Sequence, residues 1–133
     1  MKFLASAAAA ALLVGTIAVA QAETTRPLSS LPQAGAPVSN YYKQNVYDPS
    51  DNKIGEVSDL LVEKDGKVAA AIVSVGGFLG AGEKDVAVSF DSLKLTQKNQ
   101  KWYLVMNTDK DALKNAPGFK YDKSQDRWMP AAK

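Results

Sequence analysis

Four carboxylates are the first candidates for bond-breaking chemistry: Asp59, Glu63, Asp85 and Asp91. A pair of carboxyls can hydrolyse a glycan when both face one cleft and their environments push their acidities apart. The spacing here shows no such pair. The chain has no histidine and no cysteine, which removes Ser-His-Asp and Cys-His machinery, most zinc sites and any disulfide. Chemistry would have to run on carboxylates, lysines or tyrosines. No catalytic residue is expected, and the chain is not read as an enzyme.

Two further constellations have ligand-like spacing. Asp48, Ser50, Asn52, Ile54, Glu56 and Asp59 fall at the offsets of a calcium loop. Lys53 stands where the sharp turn of that loop needs glycine, and the last ligand is Asp instead of Glu. The segment therefore reads as a proline-containing turn entering a strand, and neither a metal nor another cofactor is expected. Gly76 to Gly82 holds four glycines in seven residues, and successive glycines let backbone N–H groups converge on an anion. A P-loop would end in Gly-Lys-Ser/Thr, but this loop continues Gly82-Glu83-Lys84, and the dinucleotide spacing also fails. A tight connection between strands is the better account, with Phe78 and Leu79 at its tip. Gly76, Gly77, Phe78, Leu79, Gly80 and Gly82 form the candidate binding site, with Phe78 and Leu79 as anchors for a partner if exposed. Turned inward, they would close one end of the domain.

Tyr41, Tyr42, Trp102, Tyr103, Tyr121 and Trp128 could stack against sugars or peptides. Trp102 shares a strand face with Leu104 and Met106 and is assigned to the core. Trp128 sits among Asp126, Arg127 and Pro130, which suits a clasp against the domain.

The elements that must position these residues are short strands. Lys43 to Tyr47 is a first strand, stopped by Asp48-Pro49-Ser50-Asp51-Asn52. Ile54 to Glu63 is a second, imperfectly alternating, in which Gly55 signals a bulge or a close backbone approach. Asp65-Gly66 marks a hairpin turn. Val68 to Val75 reads as a strand buried on both faces. Asp85 to Phe90 carries Val86, Val88 and Phe90 on one side, and Leu93 and Leu95 continue it or form a short neighbour. A polar turn at Gln97 to Gln100 leads to a strand from Trp102 to Met106. A short helix spans Lys110 to Asn115 with Thr108 or Asp109 as N-cap, ended by Pro117-Gly118. Tyr121 to Trp128 is a final strand or an aromatic clasp. Several short strands with one hairpin and one small helix predict an all-β, antiparallel, barrel-like domain.

Upstream of this domain, Met1-Lys2, an apolar alanine-rich run to Ala20 and two Ala-x-Ala sites read as a signal peptide over 1–22, cut before Glu23. Without it 111 residues remain, one small domain, and losing Lys2 leaves a formal charge of +1. That balance gives no footprint for nucleic acid. Residues 23–40 hold three prolines and no apolar periodicity, a flexible leader. The domain is placed at 41–129 and a tail at 130–133. Processing would leave no membrane anchor, and a periplasmic location follows.

The run Val46-Tyr47-Asp48, Lys53-Ile54-Gly55-Glu56-Val57-Ser58-Asp59-Leu60-Leu61-Val62, Gly66-Lys67-Val68, Ala71 to Gly80 and Lys84-Asp85-Val86-Ala87-Val88-Ser89-Phe90 resembles the PRC-barrel family, named for the cytoplasmic domain of the photosynthetic reaction centre H subunit. The resemblance covers roughly residues 41 to 95. It implies a small β-barrel used for protein interaction, with no catalytic residue shared across the family. The expected function is an exported, non-catalytic interaction or scaffolding module of the cell envelope. Its partner would be a protein bound through a strand edge or the Gly76–Gly82 loop, and homo-oligomers are open to it through the same edges. A small-ligand- or metal-responsive envelope protein is the alternative.

Overall fold

The computed structural model describes residues 15, 24–76 and 83–131. By internal contacts the chain divides into one unit up to Gln33 and a second from Ala34 to Lys133. Within the first unit, residues 24–33 form no helix or strand. Pro27 and Pro32 lack the amide proton that either would need, and Leu28 and Leu31 stand exposed. The expected signal peptide falls, but for Gly15, outside the described residues. No helix among the described residues is long and apolar enough to cross a membrane.

The second unit opens with a 3-10 turn at Val38–Asn40 and continues through β1 (Asn45–Tyr47), β2 (Lys53–Val62), β3 (Val68–Val75) and β4 (Lys84–Ser89). A 3-10 turn at Phe90–Ser92 leads into β5 (Lys94–Lys98), β6 (Lys101–Val105), helix α1 (Lys110–Lys114), β7 (Gly118–Asp122) and β8 (Arg127–Pro130). The eight strands form one sheet in the order β5-β6-β1-β2-β3-β4-β7-β8. The antiparallel barrel expected from the sequence is corrected in two respects. β1 pairs with β6 in parallel, Val46 opposite Leu104. The other ladders are antiparallel, so the intervening chain from β2 to β5 serves as the long crossover that a parallel pair needs. Among the described residues the ladder is also not closed, because β5 and β8 are edges.

The core is aliphatic. Val46, Ile54, Val57, Ala71, Ile72, Val73, Val75, Val86 and Leu104 are buried, joined by Leu93, Met106 and Leu113. Each such full burial of a Val, Ile or Leu contributes about 1.5–3 kcal/mol. Ala71, Ile72 and Val73 are consecutive and all buried. Neighbouring side chains on a strand point to opposite faces, so this part of β3 is covered on both, as its unbroken apolar run predicts. Phe90 leaves the strand expected to hold it and enters the following 3-10 turn, where its ring lies 4.9 Å from that of Tyr41.

Gly55 fulfils both expectations placed on it. The β1–β2 register slips beside it, since Val46 faces Gly55 but Tyr47 faces Lys53. A Cβ at Gly55 would also lie 2.6 Å from Val73 Cγ1 and 2.9 Å from the Ser74 carbonyl oxygen. The strands meet at a distance that only glycine permits. The α1 cap is Asp109, whose carboxylate accepts the Ala112 N–H at 2.7 Å. At the other end, Lys84 Nζ donates to the Lys114 carbonyl at 2.7 Å, tying the helix to β4.

Candidate functional site

The Gly76–Gly82 loop begins with Gly76 at φ +96°, a left-handed conformation that favours glycine. Of the candidate binding residues there, Gly77, Phe78, Leu79, Gly80 and Gly82 lie outside the described residues. The four carboxylates are carried by different elements. Asp85 Oδ1 accepts the Ser74 hydroxyl at 2.6 Å, Glu63 lies in the exposed turn after β2, and Asp91 lies exposed in the Phe90–Ser92 turn.

At the calcium-like segment, Asp48 closes its own turn. Its Oδ1 accepts the Ser50 and Asn52 N–H groups, each at 2.9 Å, and its Oδ2 accepts the Asn52 side-chain amide at 3.1 Å. The Asn52 backbone N–H is the main reason this carboxyl sits below its usual range. Asp51, held at φ +67°, forms an ion pair with Lys98. No group of three or more acids among the described residues is arranged to hold a metal ion.

Four residues in a row, Asp59–Val62, line one side of a groove of about 650 Å3, with Tyr121 and Asp126–Trp128 on the other. Consecutive strand residues point alternately up and down. A groove touched by four of them meets the strand at its edge, not on a face. The pairing agrees. β1 pairs with β2 only as far as Glu56, with backbone bonds between Val57, Lys43 and Gln44 just beyond. From there to Val62, the regular ladder of β2 is with β3 alone. β8 in turn pairs only with β7. The groove is thus a seam between two strand edges.

A bulge aims the residues that bridge this seam. Val57 faces Val73 while Asp59 faces Ile72, which leaves Ser58 as the extra residue, its hydroxyl donating to the Ile72 carbonyl at 3.3 Å. Such an insertion bends and twists the strand. Beyond it Asp59 Oδ1 accepts the Leu60 N–H at 2.8 Å, and Asp59 Oδ2 accepts the Trp128 indole N–H, also at 2.8 Å. One carboxylate therefore holds an N–H of β2 and reaches β8, four places along the sheet. The sheet curls enough for its end to approach its middle, and the bridge is made by side chains instead of a ladder.

The hairpin β7–β8 sets the far wall. Tyr121 and Trp128 are cross-strand partners with ring centroids 5.7 Å apart, and the Tyr121 hydroxyl donates to Asp126 Oδ1. That bond pushes the Tyr121 hydroxyl above its usual range, since ionisation would forfeit it and set two negative charges together. In the connecting turn Asp122 accepts from the Ser124 hydroxyl and N–H, which lowers its carboxyl. The expected strand or aromatic clasp at Tyr121 to Trp128 is two strands and a clasp together.

Trp102 requires a correction. It is 52% exposed instead of buried. The alternation with Leu104 and Met106 is real, but Trp102 pairs with Gln97 close to the hairpin turn, beyond the end of the core. Of the lining residues Asp59–Val62, the sequence singles out Asp59, only as a carboxylate and at a calcium-like offset, and gives Leu60, Leu61 and Val62 no binding role. The signal in the sequence is the broken alternation at Ser58, followed by three apolar residues in succession.

The match to known families decides what this scaffold is. The PRC-barrel domain matches residues 36–113, more than half of the chain. The chain belongs to the PRC-barrel family. No curated protein matches the sequence. The PRC barrel is a general small protein-interaction fold, and the match takes in β1 to β6 and most of α1.

Proposed function

We propose that this protein is an exported, non-catalytic interaction or scaffolding module of the cell envelope, periplasmic after loss of residues 1–22. The observation that carries the interaction reading is the seam, where two strand edges face each other across an open groove. Exposed strand edges are where such domains recruit other chains. Val62 and Tyr121, 63% and 38% exposed, offer apolar surface there without serving the core. The signal-peptide pattern and the leader support the envelope address. Recognition by surface complementarity needs no bond chemistry.

The test is crosslinking in cells followed by recovery of the mature chain from the envelope and mass spectrometry. Val62→Lys changes only an exposed side chain, so the fold should persist. A reproducible protein partner lost with Val62→Lys supports the reading. If Phe78→Asp abolishes capture while Val62→Lys leaves it intact, the contact belongs to the Gly76–Gly82 loop and not to the seam. Absence of any crosslinked partner overturns the module.

A further inference from the structure

Resting on that interaction reading, we infer that the occupant of the seam is an extended, basic segment of another polypeptide, bound by strand addition to the open edge of β2 alongside the Asp59–Trp128 bridge. Backbone pairing is the first ground. From Ser58 to Val62 the regular ladder of β2 runs on one side only, and β8 is a terminal strand. The Leu60 N–H donates to the neighbouring Asp59 carboxylate and not to another strand, so the incoming strand would pair with the other backbone groups of this edge. An extended peptide offers N–H and C=O groups along its length to such edges, which a compact ligand does not. The β2 wall is four residues long, so roughly 13 Å of strand, four or five residues of peptide, would fit.

Side chains give the second ground. Leu61 and Val62 line one wall of the groove, and Tyr121 and Trp128 line the other. An added strand directs alternate side chains against such apolar surfaces. Charge gives the third. Asp59 and Asp126 set two carboxylates in the groove against the single guanidinium of Arg127, which favours lysine or arginine over acidic residues in the incoming strand.

The full mature chain would be titrated against a fluorescently labelled hexapeptide of alternating lysine and valine, read by anisotropy. Two control peptides would replace lysine by glutamate, or N-methylate alternate backbone amides. Saturable binding is expected for the parent peptide, weakened about tenfold or more with glutamate and lost on N-methylation, which removes the strand donors. Val62→Lys should weaken the parent by about tenfold through like-charge repulsion. Asp126→Asn, which keeps a residue tolerant of the φ +52° at that position, should narrow the gap between lysine and glutamate peptides. Undiminished binding of the N-methylated peptide, or equal binding of both charges, overturns the inference. If no peptide binds while the crosslinked partner still disappears with Val62→Lys, strand addition fails and the interaction module stands. If neither is seen, both fail.

Discussion

The Asp59–Trp128 bridge can be tested by taking away each partner in turn. Trp128→Phe keeps an aromatic ring beside Tyr121 but removes the indole N–H that Asp59 Oδ2 accepts at 2.8 Å. Asp59→Ala removes the acceptor and also releases the Leu60 N–H. A hydrogen bond to a charged group is worth about 1.5–3 kcal/mol net. Both residues are only half-buried, and water can replace part of that bond, so a coupling of about 1 kcal/mol is expected. Trp128→Phe alone should cost about 1–2 kcal/mol and Asp59→Ala a similar amount, while the double variant loses about 1 kcal/mol less than their sum. The assay is urea unfolding of all four proteins, followed by far-UV circular dichroism so that the loss of one tryptophan does not alter the probe. In a thermal scan 1 kcal/mol corresponds to roughly 4–8 °C for a domain of this size. Additivity within about 0.3–0.5 kcal/mol would refute the bridge, and with it the argument that side chains hold β8 near β2.

Gly55→Ala should destabilise the domain by about 1–3 kcal/mol through overpacking, because the new methyl would press on Val73 Cγ1 and on a backbone oxygen that cannot rotate away; unchanged or raised stability in urea would contradict the close approach. The Tyr121–Asp126 bond should make stability fall at high pH. The folded-state value lies above the ordinary 10.0, so its contribution is fully present below about pH 10 and is lost as pH rises through the higher folded value. Melting temperatures from pH 8 upward should decline more steeply for the wild type than for Tyr121→Phe, and parallel profiles would remove Tyr121 from the account.

Much of this architecture is written in local patterns. β3 matches its apolar run from Val68 to Val75 because Gly66 and Gly76, both at positive φ, punctuate it before and after; burial on both faces holds only for Ala71 to Val73, and Ala69 is exposed. Asp109 is legible as a cap because a short acceptor before a helical turn has one orphan N–H group within reach. β2 is harder. Val57 and Leu60, three residues apart, both pack toward the core because Ser58 is inserted between them, and a bulge adds one residue to a period of two. The same insertion that spoils the alternation turns Asp59 toward the seam. The β7–β8 hairpin is less legible still. Its turn, Asp122 to Asp126, lies inside the polar stretch that separates the aromatics, and Pro117-Gly118, read only as the end of a helix, also starts β7. Trp102 shows a further limit: period tells which face a side chain shares, not how far along the strand the core extends. No local signal could pair Asp59 with Trp128, 69 residues apart.

The two walls of the seam have different standing. β2 lies within the residues matched by the PRC-barrel family, but the match ends at Leu113, before the hairpin that carries Tyr121, Asp126 and Trp128. That hairpin is anchored on the barrel through β4, where Asp85 faces Phe119 and Val86 faces Gly118. Family membership therefore accounts for the scaffold and one edge of the groove, while the aromatic and acidic wall opposite it lies outside the matched residues. A fold does not dictate function, which resides in sites built upon it. Here the groove proposed as a binding site forms where the scaffold's own irregularity, the Ser58 bulge, meets a hairpin beyond the matched region. Partner selectivity should accordingly follow Tyr121, Asp126 and Trp128 more closely than the β-branched core. If the seam is the proposed binding site, core substitutions would change how firmly it is held, whereas hairpin substitutions would change what it recognises.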